Sequence, residues 1–429
     1  MFTFVYRLLF LPLFFLMLPY YGMRMWRRGG YGRDFRYRLG LYPSLKKSEK
    51  KRIWLQAVSV GEVKAAESLI DRFITDGRFE VVLTTTSSTG YSLARDLYSR
   101  KILLVGLFPW DFCLFSMLAW RRICPDIVVL MEGELWPEHI HQASMRHVPI
   151  YLVNGRLSDK TFARYLKFSV LSRKIFSQIT KILAQSKDVF NRFIELGIDK
   201  QKISVSGNLK FDCTFPQMDL LSKKKLKAKL GFSEDSLILL GSSTWPGEEE
   251  WLVECFREIR RQTQKDWRLL LVPRHAERRG EIVSCLKKSK FRWHQRSLGA
   301  AANQVDICLG DTTGELVWLT GTSDLAFVGK SLLGNSGGQS PLDAAAYGVP
   351  IVYGDSMTNF RTICQSLESA GGAMKAADGE SAQKILIELA CDGDKRANLA
   401  RVLSDWYTQN RGATEYTYRT IIGDVFNGE

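Results

Sequence analysis

The alternation of short apolar strands with helical segments constrains the fold more than any other feature of this sequence. Runs rich in valine, isoleucine and leucine recur along the chain, and segments with helical periodicity separate them. In the first half, predicted strands cover 53–58, 79–85 and 126–131, and predicted helices cover 62–76 and the residues from Ser88 onward. Such alternation is typical of βαβ units, which place parallel strands in one sheet with helices on its faces. The predicted fold class is therefore α/β.

The alternation pauses at Phe215, Pro216 and Gln217 and then starts again. In the second half, the predicted strands cover 237–240, 268–272, 305–309, 325–328 and 350–353. A chain of 429 residues is long enough for two or three domains. We therefore expect two Rossmann-like lobes, residues 24–215 and residues 216–429, with the final helix packing back on the first lobe.

The N-terminal region combines an apolar segment with a basic block. The chain has 60 Lys and Arg against 45 Asp and Glu, a net charge of +15, and residues 1–52 hold twelve of the basic residues but only two acidic ones. The segment Leu8–Met23 is uncharged, although it is shorter than the ~20 residues of a usual span and contains Pro12 and Pro19. Basic residues beside an apolar segment favour the cytoplasmic side of a membrane. We expect residues 1–23 to form a membrane-anchor helix, either spanning or interfacial.

The N-terminal region has three other interpretations. A secretory signal would need a small-residue cleavage site before the charges, and none is present. A buried core helix is the second alternative. The third is a membrane-associated basic nucleic-acid-binding protein, since Trp26, Tyr31 and Tyr37 are interleaved with the basic residues, but no nucleic-acid-binding motif follows them. We therefore expect membrane lipids, and no nucleic acid, as partners of the basic block.

Several familiar site signatures are missing from the sequence. The eight cysteines include no C-x-x-C pair, which argues against a disulfide scaffold and a cysteine zinc site. The nearest approach to a P-loop ends in Gly329-Lys330-Ser331 but has Asp324 where the first glycine is required. No G-x-G-x-x-G follows the first strand, and neither H-E-x-x-H nor G-x-S-x-G occurs. The sequence predicts no metal and no cofactor.

Charged residues in the first half stand near the ends of predicted strands. Glu62 follows the first strand and opens a helix, Glu132 and Glu134 follow a buried strand, and Lys210 lies near the end of the first lobe. Glu62 is either a general base or a helix N-terminal residue stabilised by the helix dipole, and the dipole would keep its pKa low. In the alternative interpretation the other two acids are solvated loop residues and Lys210 forms a salt bridge with Asp212.

Three segments of the second half suit a nucleotide phosphate. Pro273-Arg274 follows a strand, and the fork of the arginine guanidinium binds phosphate well. Residues 310–315 and 329–343 combine glycines with a Ser-Pro helix start, where backbone N–H groups hold anions. Asp343, in the first turn of that helix, is placed to accept hydrogen bonds from ribose hydroxyls. Together the segments predict a nucleotide-phosphate site without a metal.

These residues lie in eight longer motifs, which together cover nearly the whole chain. In chain order they are WLQAVSVGEVKAAESLI, MEGELWPEHI, VNGRLSDKTFARY, GNLKFD, SSTWPGEEE, LVPRHAERR, GDTTGEL and SGGQSPLDAAAYGVPIVYG. Their order and spacing resemble those of the 3-deoxy-D-manno-octulosonic acid (Kdo) transferases, which have the GT-B fold.

The resemblance implies a membrane-associated glycosyltransferase of lipopolysaccharide synthesis. It implies CMP-Kdo as donor, a lipid A precursor of the lipid IVA type as acceptor, inversion at the anomeric centre, no metal, and the addition of one Kdo unit or more. It places the general base at Glu62 and transition-state support at Glu132 and Lys210. It also implies the cell inner membrane as the location, with the catalytic domains on the cytoplasmic side. The CMP contacts that it implies are Pro273, Arg274, Thr313, Gly314, Glu315, Ser340, Pro341, Leu342 and Asp343.

The chain departs from the family pattern at several motif positions. The departures affect the expected nucleotide contacts rather than the reaction class, and the shorter acid at position 343 affects the expected ribose contact. A GT-B transferase that uses another sugar nucleotide is therefore the nearest alternative. The departures are Gly133 for Thr, Trp245 and Pro246 for His and Glu, and Gln339, Ser340 and Asp343 for His, Asn and Glu.

Overall fold

The chain folds into two compact units in a computed structural model that describes residues 32–213 and 215–426, together with positions 6–8, 10, 12, 16, 17, 19, 22 and 23. Unit 1 comprises residues 1–214 and 410–429, and unit 2 comprises residues 215–409. Each unit has a seven-stranded sheet in which all neighbouring strands pair in parallel. The predicted α/β class with two Rossmann-like lobes is therefore confirmed.

In unit 1, the sheet has the strand order β3-β2-β1-β4-β5-β6-β7. Its central strands are almost fully buried, as expected when helices cover both faces of a parallel sheet. The elements are β1 (Lys51–Gln56), α1 (Val60–Asp76), β2 (Phe79–Thr85), α2 (Ser88–Tyr98), β3 (Leu104–Leu107), α3 (Cys113–Ile123), β4 (Ile127–Met131), α4 (Pro137–Met145), β5 (Ile150–Gly155), α5 (Asp159–Lys167), α6 (Ser169–Phe176), β6 (Lys181–Ala184), α7 (Lys187–Glu195) and β7 (Ile203–Val205).

Helix α1 is specified by its ends and by its apolar face. The Ser59 side chain caps the N-terminus, and Gly77 ends the helix at φ +76°, a left-handed conformation that glycine adopts without strain. Between them, Val63, Ala66 and Ile70 are buried at the spacing of one helical face. The first turn of α1 is thereby fixed directly after β1, at the carboxyl edge of the sheet.

In unit 2, the sheet has the strand order β10-β11-β9-β8-β12-β13-β14. The pairing of β8 with β9 shifts register between Ser242 and Thr244, around Ser243 at φ +53°. The elements are α8 (Leu220–Leu230), β8 (Leu237–Thr244), α9 (Glu248–Gln262), β9 (Trp267–Pro273), α10 (Arg279–Lys288), β10 (Trp293–Gln295), β11 (Ile307–Leu309), α11 (Leu316–Gly321), β12 (Leu325–Val328), α12 (Leu342–Ala346), β13 (Ile351–Gly354), α13 (Arg361–Ser369), β14 (Ala373–Ala376), α14 (Gly379–Cys391) and α15 (Gly393–Gln409).

The final helix, α16 (Ala413–Phe426), packs in unit 1, whereas α15 belongs to unit 2. Tyr418 and Ile421 of α16 are buried in the core of unit 1. Asp212 caps this helix across 200 residues of sequence, because its two carboxylate oxygens accept hydrogen bonds from the backbone N–H groups of Gly412 and Thr414 at 2.7 and 2.5 Å. Asp212, two positions after Lys210, thus joins the C-terminal helix α16 to unit 1.

Most of the predicted anchor, residues 1–23, lies outside the described residues. Among the residues that are described, no helix has the length and apolar character to cross a bilayer. Described residues of this segment contact the rest of unit 1. Arg7 pairs with the fully buried carboxylate of Glu138 at 2.8 Å, the Tyr6 hydroxyl donates to Asp111 at 2.9 Å, and the Phe10 ring stacks on Phe112 with the ring centres 5.3 Å apart. Tyr6 and Arg7 are therefore held against Asp111 and the beginning of α4.

Removal of the Asp212 cap tests the attachment of α16. Loss of a side-chain helix cap costs about 0.5–2 kcal/mol, so we expect Asp212→Ala to lower the free energy of unfolding by about 1–2 kcal/mol in urea titrations. Asp212→Asn, which keeps one acceptor oxygen, should lose less. The matched control is Asp235→Ala, an exposed carboxylate for which the described residues provide no hydrogen bond. Equal stability of Asp212→Ala and the unaltered chain would show that the cap does not stabilise α16.

Candidate active site

Glu62 lies in the first turn of α1, beyond the carboxyl end of β1. Its Oε1 atom accepts a hydrogen bond from Ser59 Oγ at 3.0 Å, and its Oε2 atom accepts one from the backbone N–H of Val58 at 2.8 Å. The backbone N–H of Glu62 donates in turn to Ser59 Oγ at 3.4 Å. This reciprocal capping pattern holds the carboxylate at the edge of the sheet.

Burial raises the pKa of Glu62 from its ordinary value of 4.5 to about 7. The charge of Glu132 also raises it, whereas the hydrogen bonds from Val58 and Ser59 and the charge of Lys210 lower it. The expectation that the helix dipole keeps this pKa low is therefore wrong, because removal of the carboxylate from water outweighs the effects that favour its charged form. A glutamate with this pKa is a competent base near neutral pH.

Glu132 and Lys210 form an ion pair beside this carboxylate. Glu132 directly follows β4 at φ +55°, and its Oε1 atom accepts a hydrogen bond from Lys210 Nζ at 2.8 Å. The side chains are only 15% and 28% exposed, so solvent screens the pair less than it would on the surface. The alternative salt bridge between Lys210 and Asp212 is not formed, because Asp212 caps α16 instead.

Two asparagines fix the turn that carries Lys210. This turn, Leu209–Asp212, is a short 3₁₀ helix after β7, and Asn208 caps it by accepting from the Lys210 N–H at 3.0 Å. Asn154, buried at the end of β5, accepts from the Leu209 N–H at 3.1 Å. The backbone on both sides of the lysine is therefore held to the sheet edge where Glu132 lies.

Two further charged residues join this group and are missed by the sequence-based choice of catalytic residues. Burial, together with the charges of Glu62 and Glu132, raises the pKa of Glu134 to about 7. Arg156 follows β5, and its Nη1 atom lies 3.8 Å from Glu132 Oε2. The sequence signal for Glu134 is its place in the E-G-E motif directly after β4, and the signal for Arg156 is its place in the V-N-G-R motif at the end of β5.

This edge of unit 1 combines carboxylates with the positive charges of Lys210 and Arg156. Glu62 is suited to accept a proton from a hydroxyl, while Lys210 and Arg156 are suited to attract an anionic sugar or phosphate. Within the described ranges, no three His, Cys, Asp or Glu side chains gather closely enough to hold a metal ion.

In unit 2, Pro273 and Arg274 lie at the carboxyl end of β9, as predicted. The Arg274 N–H donates to the carbonyl of Thr244, the last residue of β8, at 3.1 Å. The Arg274 residue itself is exposed. The Arg274 backbone is thus fixed at the middle of the sheet edge, and its exposed side chain remains accessible to a ligand.

Thr313, Gly314 and Glu315 lie in the loop between β11 and α11. The helix that follows this loop, α11, begins at Leu316. Although burial opposes it, hydrogen bonds from Thr312 and Arg296 lower the pKa of Glu315 below its ordinary value. The Glu315 carboxylate accepts from Arg296 at 2.9 Å, so a nucleotide would meet it as part of an existing ion pair.

Ser340, Pro341, Leu342 and Asp343 form the start of α12. Ser340 Oγ accepts from the Leu342 N–H at 3.3 Å. Because α12 has only five residues, few peptide dipoles add up along it, and its N-terminus attracts an anion less than the sequence suggested. Positive charge for a phosphate in unit 2 must then come mainly from side chains.

The predicted nucleotide contacts follow three strands of one continuous part of the sheet. They come after β11, β9 and β12, which neighbour one another or β8 in the order β11-β9-β8-β12. The structure therefore places all three segments at the carboxyl edge of unit 2. It likewise places Glu62, Glu132 and Lys210 at the carboxyl edge of unit 1.

Comparison with known proteins identifies the family to which these motifs belong. A family model described as 3-Deoxy-D-manno-octulosonic-acid transferase (kdotransferase) matches residues 33–213. A 3-deoxy-D-manno-octulosonic acid transferase of Haemophilus influenzae is 30% identical over 403 residues, which are 93% of this chain and 93% of the relative. The chain belongs to the Kdo transferase family. As a Kdo transferase it is a glycosyltransferase.

A second relative has the same description, and two solved structures with low sequence identity share the fold. A 3-deoxy-D-manno-octulosonic acid transferase of Bordetella pertussis is 29% identical over 373 residues, 85% of each chain. A glycosyltransferase structure from Rickettsia africae has a TM-score of 0.58 at 15% identity and covers 89% of this chain and 100% of its own. A putative UDP-N-acetylglucosamine 2-epimerase from Listeria monocytogenes has a TM-score of 0.59 at 14% identity, with 89% and 98% covered. The two structures establish the GT-B type of fold.

The raised pKa of Glu62 predicts a pH-dependent effect of its replacement on stability. Because the folded chain keeps this carboxyl protonated up to about pH 7 while the unfolded chain loses the proton near 4.5, stability falls as the pH rises through that window. Glu62→Gln has no proton to lose. Between pH 5 and pH 8, its free energy of unfolding should therefore rise relative to the unaltered chain by an amount on the order of 2 kcal/mol.

Denaturant titrations at several pH values measure this difference. Glu195→Gln is the matched control in the same unit, because Glu195 is exposed at the end of α7. Its difference from the unaltered chain should stay constant with pH. A constant difference for Glu62→Gln as well would contradict the raised pKa.

Proposed function

We propose that this Kdo transferase takes Kdo from CMP-Kdo and transfers it to a lipid A precursor of the lipid IVA type in lipopolysaccharide biosynthesis. In this proposal the reaction inverts the anomeric centre, needs no metal and adds one Kdo unit or more. The observation that carries the proposal is the desolvated Glu62 carboxylate next to the Glu132–Lys210 ion pair, in a chain of this family. The predicted nucleotide segments at the carboxyl edge of unit 2 support the choice of donor.

The reaction consists of one displacement at the anomeric carbon. The acceptor hydroxyl oxygen forms a bond to this carbon while the bond from the carbon to the phosphate oxygen of CMP breaks, and CMP leaves with the electron pair. Glu62 accepts the hydroxyl proton. Because attack and departure occur on opposite faces of the sugar, a single displacement inverts the configuration.

Charge develops on both sides of the displacement. Lys210, held by Glu132 at 2.8 Å, offers positive charge to the reacting sugar, and the exposed Arg274 offers it to the departing phosphate. Such fixed charges stabilise the transition state without reorganisation and replace a metal ion in this role.

We further propose that the chain works at the cytoplasmic face of the cell inner membrane. The uncharged segment Leu8–Met23 and the basic residues that follow it provide apolar and electrostatic attraction to a bilayer. Because Arg7 pairs with Glu138 at the start of α4, any lipid contact of this segment brings unit 1 to the membrane surface. That position suits an acceptor embedded in the bilayer.

Replacement of the base tests the reaction. The unaltered chain, incubated with CMP-Kdo and the lipid A precursor, should give a product that mass spectrometry shows to carry added Kdo. Its kcat/KM should rise as the pH increases through about 7, because Glu62 must lose its proton to act as a base. Glu62→Gln should lower the rate about 10²–10⁴-fold, and Glu195→Gln should leave it unchanged. A normal rate for Glu62→Gln would contradict the assignment of the base.

Vesicle binding tests the proposed location. Each lysine near an anionic surface contributes roughly 1 kcal/mol, so neutralising Lys46, Lys47 and Lys50 with glutamine should weaken binding to phosphatidylglycerol vesicles about 100-fold. The control neutralises three exposed lysines of unit 2, Lys287, Lys288 and Lys290, and should change binding much less. Equal losses in both triple variants would contradict a specific role of the basic block.

A further inference from the structure

Lys330 lies at the carboxyl edge of unit 2, inside the predicted segment 329–343, and none of the sequence-based predictions gives its side chain a role of its own. It follows β12 by two residues, and its ammonium stands 4.4 Å from the centre of the Trp245 ring in a cation–π contact. In the described part of the chain, no hydrogen bond or ion pair is formed by its Nζ atom. The ammonium therefore keeps its three N–H donors available.

The carboxylate of Glu248 holds Lys330 and Trp245 in register. Glu248 is fully buried in the first turn of α9, and its Oε2 atom accepts the backbone N–H groups of Trp245 at 2.8 Å and of Lys330 at 2.9 Å. Its Oε1 atom accepts those of Ser331 at 3.1 Å and Leu332 at 3.4 Å. One buried group thus joins the loop after β8 to the loop after β12, so the lysine and the indole are positioned together.

Although the Glu248 carboxylate lies beside this pair, its oxygens already accept four backbone N–H groups, and the nearby His275, Arg274 and indole N–H are hydrogen-bond donors or cations. The ring of His275 packs edge-on against Trp245 at 5.4 Å, next to the exposed Arg274. The indole N–H of Trp245 is buried and has no acceptor among the described residues. Because the Lys330 ammonium has no carboxylate partner among the described residues and further donors lie near it, this site is suited to bind an anion.

The backbone around Lys330 also brings its ammonium close to the glycines near the middle of the predicted segment 329–343. Lys330 has φ +62°, a left-handed conformation that glycine adopts with less strain than lysine. Its carbonyl accepts from the Gly338 N–H at 2.9 Å, and a Cβ atom on Gly337 would lie 3.6 Å from Lys330 Nζ. The ammonium therefore lies beside the glycine loop that leads to Ser340–Asp343.

We propose that Lys330, held over Trp245, binds an oxyanion of the nucleotide-sugar donor. This inference rests on the proposed function, in which CMP-Kdo is the donor. CMP-Kdo carries two anionic groups, the phosphate and the sugar carboxylate, and both offer the same oxygen acceptors to an ammonium. Trp245 serves as a positioning residue, since its ring holds the ammonium at the site. Trp245 stands where the family pattern has His. In this proposal, that departure from the pattern positions the ammonium that contacts the donor.

Calorimetric binding of CMP and of cytidine to the full chain separates the phosphate from the nucleoside. Lys330→Gly removes the ammonium and suits the left-handed backbone, so the loop should keep its conformation. Lys330→Met keeps the length of the side chain, and Lys330→Arg restores the positive charge. The matched control is Lys375→Met, an exposed lysine on β14.

If Lys330 binds the phosphate, Lys330→Gly and Lys330→Met should weaken CMP binding about tenfold, leave cytidine binding unchanged, and be partly rescued by Lys330→Arg. If it binds the sugar carboxylate, CMP binding should stay unchanged while the KM for CMP-Kdo rises about tenfold. Trp245→Ala should reproduce the loss caused by Lys330→Gly, and Trp245→Phe should preserve more of the affinity because it keeps an aromatic face. The Lys375→Met control should match the unaltered chain in each measurement.

Unchanged CMP affinity and unchanged KM in both Lys330→Gly and Lys330→Met would overturn the inference and leave the proposed function standing. A loss of cytidine binding equal to the loss of CMP binding would also overturn it, because a distorted loop would then explain the effect. Failure of the unaltered chain to bind either CMP or CMP-Kdo would overturn the proposed function, and the inference with it.

Discussion

The parallel direction of all the strands in each sheet is the constraint on which the rest of the structure depends. In a parallel sheet every strand ends at the same edge, so residues that are far apart in sequence meet there. In unit 1, this rule brings together Glu62 after β1, Glu132 after β4 and Lys210 after β7. In unit 2, it brings Trp245, Arg274 and Lys330 to the ends of the neighbouring strands β8, β9 and β12. The helices in between mainly fix the spacing of these loops.

At the edge of unit 1, effects that disfavour the ionised carboxylate of Glu62 outweigh the effects that favour it. Burial disfavours the ionised forms of Glu62 and Glu134, and the two carboxyls and Glu132 repel one another when charged. Lys210 offsets part of this repulsion through its ion pair with Glu132, which is why a third carboxylate is tolerated in the group. The backbone hydrogen bond from Val58 stabilises the charged form of Glu62 but does not compensate for its burial. The result is a carboxyl group with a pKa of about 7, which suits a base at neutral pH.

The sequence predicts the long, buried elements well because their apolar patterns are strong. The strands 79–85 and 325–328 are found at the predicted bounds. The edge strands β7, β10 and β14 are missed, because strands of three or four residues that are only partly buried carry little apolar pattern. In the site, the motifs locate Glu62, Glu132 and Lys210. They cannot give the sign of the Glu62 pKa shift, the partner of Lys210 or the contact between Lys330 and Trp245. These depend on burial and on residues brought together only by folding.

The central claim is that the sheet edge of unit 1 holds Glu62 as a base with a pKa near neutrality. Carbon-13 NMR of the full chain labelled at the glutamate side-chain carboxyls measures this most directly, with Glu62→Gln used to assign the signal. The account predicts a carboxyl resonance that titrates near pH 7 and disappears in Glu62→Gln. A Glu62 resonance that titrates near 4.5, the ordinary value for a glutamate, would contradict the account.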